Sequence, residues 1–338
     1  MLHNFALQLN IEKMKIVITG SLGNISKPLA IELVQKGHSV TIISSKPEKQ
    51  KDIEDLGAIS AIGSIEDVDF LINTFQVADV VYCMLPPFKF RENPNLDARA
   101  EAFRIAQNYT KAIEKSGIKR VIHLSSIGAH LEFGNGLLAF HFIAEKVFKE
   151  LPADVIVTTM RPVGFYYNLY EFIEPIHGKG FLDSFIGKIL TIKYYGLKGF
   201  FQGKKGLIMS NYGAKDKMPW VSPLDIASVV AEEITTLGSG REVRYVASEV
   251  LTCQEIASIL GKAIGKSYLK WETISDRQML SALKQFGIPS ILAQDITEMN
   301  ASMHTGLLFE DYYKNLPNLG KVKFDEFAKE FAIKYNQQ

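Results

Sequence analysis

Two glycines three residues apart, Gly20 and Gly23, stand where the apolar β-branched run Lys15-Ile-Val-Ile-Thr19 gives way to a helical pattern reaching Leu33. Glycines at this spacing let a chain turn sharply and bring backbone N–H groups close to a ligand. A helix that starts there presents unpaired N–H groups and a partial positive charge, which suit a pyrophosphate. Leu22, Asn24 and Ile25 complete the turn, and Ser26 occupies the place of a third glycine. The next apolar run ends in Ser44, Ser45 and Lys46, with no acid before Glu48. A carboxylate at that point takes a ribose 2′-hydroxyl, whereas hydroxyls and an ammonium suit a 2′-phosphate. The chemistry indicated is dinucleotide binding, with NADP(H) favoured over NAD(H).

Positioning these residues requires a repeating scaffold. Strand patterns at Ser39–Ser44, Ala58–Ile62, Ala78–Cys83, Lys119–Leu124 and Asp154–Met160 follow the first, each separated from the next by a helical stretch. Such alternation predicts a parallel sheet wrapped on both faces, with ligands at the carboxyl edge of the strands. S-x-x-E, S-x-x-D, T-x-x-E and S-x-x-Q patterns at Ser45, Ser222, Thr252 and Ser275 predict capped helix starts. Beyond Met160 the alternation stops, and a segment rich in Phe, Tyr and Gly leads to a mainly helical end in which Glu242–Ala247 is a late strand. The expected division is an extension at 1–13, a nucleotide-binding domain at 14–164 and a smaller lobe at 165–338, with about 219–247 returning to the first domain.

Composition narrows the class. Of 338 residues 47% are hydrophobic and the formal net charge is only +1, so no bulk charge favours nucleic acid. No apolar run approaches the ~20 residues that span a bilayer. Cys83 and Cys253 match no metal or redox spacing, which together with a non-basic start predicts a cytoplasmic protein with free thiols and no metal. Cys83 is expected in the core. One local exception is the stretch from Ser184 to Lys215, which has six lysines (188, 193, 198, 204, 205 and 215) and no acid. A solvated insertion or oligomer contact, a basic flap and a weak nucleic-acid surface are alternative readings of it.

The ordered blocks Gly20-Ser-Leu-Gly23-Asn-Ile, Gly63-Ser-Ile-Glu-Asp67, Leu124-Ser-Ser-Ile-Gly-Ala129, His141-x-x-x-Glu145-Lys146, Met160-Arg-Pro-Val-Gly-Phe-Tyr-Tyr-Asn168, Pro219-Trp-Val-Ser-Pro-Leu-Asp225 and Leu251-Thr-Cys-Gln-Glu-Ile-Ala257 resemble the NmrA-like group of atypical short-chain dehydrogenases. The resemblance runs from about residue 14 to about 270. It implies a Rossmann-type doubly wound parallel sheet, a smaller helical C-terminal lobe closing a substrate cleft, and bound NADPH or NADH. It also brings Gly63, Ser64 and Pro162 into the cofactor site, with Met84, Leu85 and Pro86 as an apolar wall beside the adenosine. Ser125 and Ser126 become candidates for the nicotinamide end, and Ser126 reads equally as a turn hydroxyl. The tyrosine and lysine that ordinary short-chain dehydrogenases use for proton transfer correspond here to His141 and Glu145. Their i,i+4 spacing places them on one helical face, where a carboxylate would favour an imidazolium able to act as a general acid. A pair that only braces the cleft is the other reading. Arg161 before Pro162 reads as a rigid strand exit. Phe165, Tyr166, Tyr167, Asn168 and Tyr170 are placed at the cleft mouth, suited to a flat substrate.

The activity expected is an NADPH-dependent reductase of a quinone or similar conjugated carbonyl, acting on a small molecule, as a monomer or a homodimer, with Ser125, His141 and Glu145 as its chemical residues. The alternatives are a non-catalytic NADP(H) redox sensor that regulates a protein partner, and an isomerase or epimerase on the same scaffold.

Overall fold

β-Branched runs flanked by turn residues become the strands of the computed structural model, which describes residues 13–337 except 89, 91, 94, 95, 178–184, 203, 205, 237 and 239. Most of the expected N-terminal extension, with Lys205 and the side chain of Lys188, lies outside the described residues. The strands are β1 Lys15–Ile18, β2 Ser39–Ser44, β3 Ile59–Ile62, β4 Val80–Met84, β5 Arg120–Leu124, β6 Ile156–Pro162, β7 Gly164–Phe165, β8 Ile208–Ser210, β9 Lys217–Val221, β10 Arg241–Val246, β11 Glu249–Thr252 and β12 Trp271–Thr273. The helices are α1 Ser26–Gln35, α2 Gln50–Glu54, α3 Val68–Phe75, α4 Ala98–Ser116, α5 Ala139–Phe148, α6 Ile173–His177, α7 Phe185–Phe201, α8 Pro223–Thr235, α9 Cys253–Ala263, α10 Asp276–Gln285, α11 Ser290–Thr305, α12 Glu310–Lys314 and α13 Phe324–Asn336.

Seven parallel strands form the central sheet in the order β10-β6-β5-β4-β1-β2-β3, a Rossmann-like arrangement. The chain reverses its direction of growth between β1 and β4, and ligands bind at such a switch point, outside the carboxyl ends of the strands. Because side chains alternate across a strand, the sheet feeds two cores. Ile16, Ile18, Ile42, Tyr82, Ile122 and Met160 face one that includes α1, α8 and the C-terminal part. Val17, Ile43, Val81, Cys83, Val121 and Val157 face the other, closed by α3, α4 and α5. Leu29, Ala30 and Leu33 of α1 are fully buried, and each such leucine contributes about 1.5–3 kcal/mol by leaving water.

The late strand rejoins the sheet, since β10 runs parallel to β6 with Val246 opposite Pro162. Small sheets β11-β9-β7 and β12-β8 carry the chain into the helical end. Thr252–Glu255 and Ser275–Gln278 form complete capping boxes. Two expected boxes do not form. Lys46, not Ser45, precedes the first turn at Pro47, so the Ser45 hydroxyl sits one residue too early to cap it. Ser222 caps α8 alone, because Asp225 instead accepts from Ser248 Oγ at 2.5 Å and from the N–H groups of Lys321 and Val322 at 3.0 and 3.1 Å. That contact needs Gly320, where a Cβ would lie 2.2 Å from Asp225 Oδ2.

Candidate functional site

Backbone geometry sets the turn after β1. Gly20 has φ +91° and Ser21 has φ +52°, and the Gly23 N–H closes the turn on the Gly20 carbonyl at 3.1 Å. A Cβ at Gly20 would stand 2.4 Å from Met84 Sδ and 2.6 Å from Ser26 Oγ, so only glycine fits this approach of turn, helix and β4. Ser26, buried, donates to the Thr19 carbonyl at 2.9 Å. The serine in the third glycine's place therefore packs the helix against the strand through a hydrogen bond. α1 has no side-chain cap at Ile25 and no acid in its first turn. Its leading N–H groups and partial charge are thus left for an anion. Gly23 and Asn24 are exposed there, Leu22 is half-buried and Ile25 is buried beneath.

Neighbouring strand ends gather the other expected residues. Ser44 is 2% exposed, and its hydroxyl accepts from Ser21 Oγ at 2.9 Å and Lys46 N–H at 3.2 Å. It is a brace between two loops, contrary to the expected phosphate contact, while Ser45 and Lys46 are exposed beside it. The Gly63 N–H extends the β2–β3 pairing to the Ser44 carbonyl, and exposed Ser64 accepts from Glu66 N–H at 3.1 Å. Met84 is pinned by Thr19 Oγ1 and by the Tyr109 hydroxyl, both at 2.9 Å. Leu85 is buried and Pro86 half-buried beyond it. Cys83 is fully buried, and burial raises its thiol pKa well above the ordinary range.

At the β5–β6 end the arrangement departs from expectation. Glu145, 2% exposed, does not turn to His141. It accepts from Ser125 Oγ at 2.6 Å and from Arg161 Nε and Nη2 at 2.8 and 2.6 Å. Arg161 also donates to Asp311 at 2.9 Å and to the Tyr245 hydroxyl at 3.2 Å, and that hydroxyl donates to Asp311 at 2.7 Å. A guanidinium binds a carboxylate through two parallel bonds, so it outcompetes a single imidazole contact. Arg161 is therefore the centre of a buried network joining β5, α5, β6, β10 and α12. Burial pushes the His141 pKa down to about 3; His123 adds to this and Glu145 opposes it. His141 is consequently a neutral imidazole near pH 7, not an imidazolium, and its Nδ1 is buried without a partner. His123 is 1% exposed, stacked on Phe148 at 4.1 Å, with both ring nitrogens unpartnered and its pKa also lowered to about 3, first by burial and then by Arg161.

The aromatic run divides between cleft and core. Phe165 and Tyr167 are half-buried with rings 5.2 Å apart, Asn168 is exposed, and Tyr167 reaches the Asn24 side chain over the phosphate turn. Tyr166 is instead core, 1% exposed, with its hydroxyl on the Val322 carbonyl and its ring against Phe324 and Phe327. Tyr170 likewise packs on Phe327 and Phe331. Both were drawn inward by α13, which lies some 160 residues away in sequence. A groove of about 460 Å³ between α4 and α5, lined by Arg99, Phe103, Phe142 and Lys146, lies apart from these residues.

The profile of the NmrA-like family matches residues 12–331. The chain belongs to the NmrA-like family. Among solved structures it is similar to an NADPH-dependent quinone oxidoreductase of Escherichia coli, determined with NADPH, at 18% identity over 93% of this chain and 99% of that one, TM-score 0.68. A triphenylmethane reductase of Citrobacter is similar at 17% identity over 96% of this chain and 100% of that one, TM-score 0.67. A nucleoside-diphosphate-sugar epimerase of Staphylococcus aureus is similar at 14% identity over 94% and 100% of the two chains, TM-score 0.68. No curated protein matches the sequence significantly. At these identities the structural likeness establishes the fold of this NmrA-like chain.

Proposed function

We propose that this chain is an NADPH-dependent reductase of a quinone or similar conjugated carbonyl. The observation that carries the reading is the uncapped start of α1 behind the Gly20–Gly23 turn, which only a glycine at position 20 lets pack this closely on Met84 and Ser26. These residues fit a pyrophosphate. Exposed Ser45 and Lys46 would meet a ribose 2′-phosphate, with Ser64 and the Met84-Leu85-Pro86 wall around the adenosine, and Ser125 and Pro162 toward the nicotinamide. The cofactor, when bound, supplies hydride. Phe165, Tyr167 and Asn168 offer a flat, partly apolar wall to the substrate. His141, as a neutral imidazole, can hold a substrate oxygen through its ring but cannot supply an imidazolium proton.

The second reading, a redox sensor without turnover, draws on the Glu145–Arg161–Asp311 network. It occupies the position of a proton-transfer pair with a fixed ion pair tied to the C-terminal helices.

One experiment separates the two. NADPH oxidation is followed with a panel of quinones for the wild type and His141→Ala. The wild type should turn over at least one quinone, and His141→Ala should be roughly tenfold slower, the worth of one hydrogen bond to the substrate oxygen. Tight NADPH binding with no turnover on any quinone would reject the reductase and leave the sensor.

A further inference from the structure

The acid-free lysine stretch plays no part in the site above, and its described portion has a definite form. α7 breaks at Gly196, whose φ of 71° and ψ of 170° are not helical. The turn beyond the break carries Leu197 and Phe201, four residues apart and therefore on one face; they are 61% and 82% exposed. Lys193 and Lys198 are exposed on either side of the break. The ammonium of Lys193 lies 5.1 Å from the Tyr194 ring, that of Lys204 lies 5.5 Å from Tyr268, and that of Lys270 lies 5.9 Å from Tyr195. Tyr195 and Tyr268 meet edge to face at 5.4 Å, and the Tyr195 hydroxyl donates to the Gly206 carbonyl at 2.8 Å. The rings are thus committed to holding cations in place. Glu272 is a carboxylate that acts on this group, through Tyr195.

We propose that the surface formed by Leu197, Phe201, Lys193, Lys198, Lys204 and Lys270 docks the protein on an anionic lipid bilayer. Apolar side chains projecting between fixed cations are what an interfacial membrane element requires, the first entering the acyl boundary and the second meeting lipid phosphates and carboxylates. Charge complementarity selects the occupant. The chain as a whole carries only +1, so the attraction is local to this face. A nucleic acid would be bound by successive open aromatic stacking platforms, whereas Tyr194 and Tyr195 are half-buried and the exposed Phe201 shares its face with the aliphatic Leu197. The contact is peripheral, since no helix among the described residues is long and apolar enough to cross a membrane. The proposal stands whether or not the chain reduces a quinone.

The test is co-flotation of the full-length protein with vesicles of phosphatidylcholine alone and of phosphatidylcholine mixed with phosphatidylserine, with a single-stranded oligonucleotide titration in parallel. Wild type should float with the anionic vesicles, remain free of the neutral ones and dissociate as salt rises. Leu197→Ser/Phe201→Ser and Lys193→Glu/Lys198→Glu should each weaken binding by roughly tenfold or more, with unchanged circular dichroism and NADPH affinity, because the replaced side chains are exposed. Absence of wild-type binding to anionic vesicles, or binding indifferent to both double variants, overturns the proposal. Oligonucleotide binding tighter than vesicle binding and unaffected by Leu197→Ser/Phe201→Ser reassigns the surface to nucleic acid.

Discussion

Arg161→Met should destabilise the protein by about 3–5 kcal/mol, the cost of leaving a buried charge without its partner. Side-chain exposure is 6% for Arg161 and 2% for Glu145, so water cannot replace the lost bonds. Removing the guanidinium takes away both contacts to Glu145 and the link to Asp311, leaving the carboxylate with Ser125 Oγ alone. Asp311, whose side chain is 30% exposed, can turn to solvent and adds less. The double variant Glu145→Leu/Arg161→Met removes both buried charges and should regain most of the loss, as apolar replacements of buried pairs do. Urea unfolding of the wild type, the single and the double variant checks this. A double variant no more stable than the single would show that the pair is not what the network rests on.

The second large effect is acid sensitivity centred on His123. The fold accepts only the neutral imidazole, holding its pKa near 3, whereas an unfolded chain protonates it near 6.5. Its contribution to stability is therefore complete above pH ~6.5 and is lost as the pH falls toward 3. Between pH 7 and pH 5 this single group should account for about 2 kcal/mol of lost stability. Leucine at position 123 keeps an apolar face toward Phe148 and carries no titratable nitrogen. His123→Leu should thus lose about 2 kcal/mol less than wild type over that interval, measured by urea unfolding at the two pH values. Identical losses in both proteins would mean that His123 accepts a proton in the folded state.

These groups also show where sequence reasoning reaches its limit. The strand–helix alternation, the glycine turn, the β10 strand itself and the boxes at Thr252 and Ser275 were legible, because each depends on residues within a few positions of one another. Arg161 looked like a strand exit because its partner Asp311 is 150 residues away. Tyr166 and Tyr170 looked like cleft residues because the helix that buries them, α13, begins only at Phe324. Local spacing did suggest a His141–Glu145 contact, and it failed because a bidentate arginine competes for the same carboxylate. The Ser45 box failed by one residue, which no propensity resolves.

The central claim, that the turn after β1 holds NADP(H), is tested most directly by titrating the wild-type protein and Lys46→Glu with NADPH and with NADH, reading affinity by calorimetry. NADPH should bind the wild type roughly tenfold or more tighter than NADH, the worth of one added charge-assisted contact, and Lys46→Glu should erase that difference while binding NADH as before. Tighter binding of NADH by the wild type, or binding of neither nucleotide, would contradict the account.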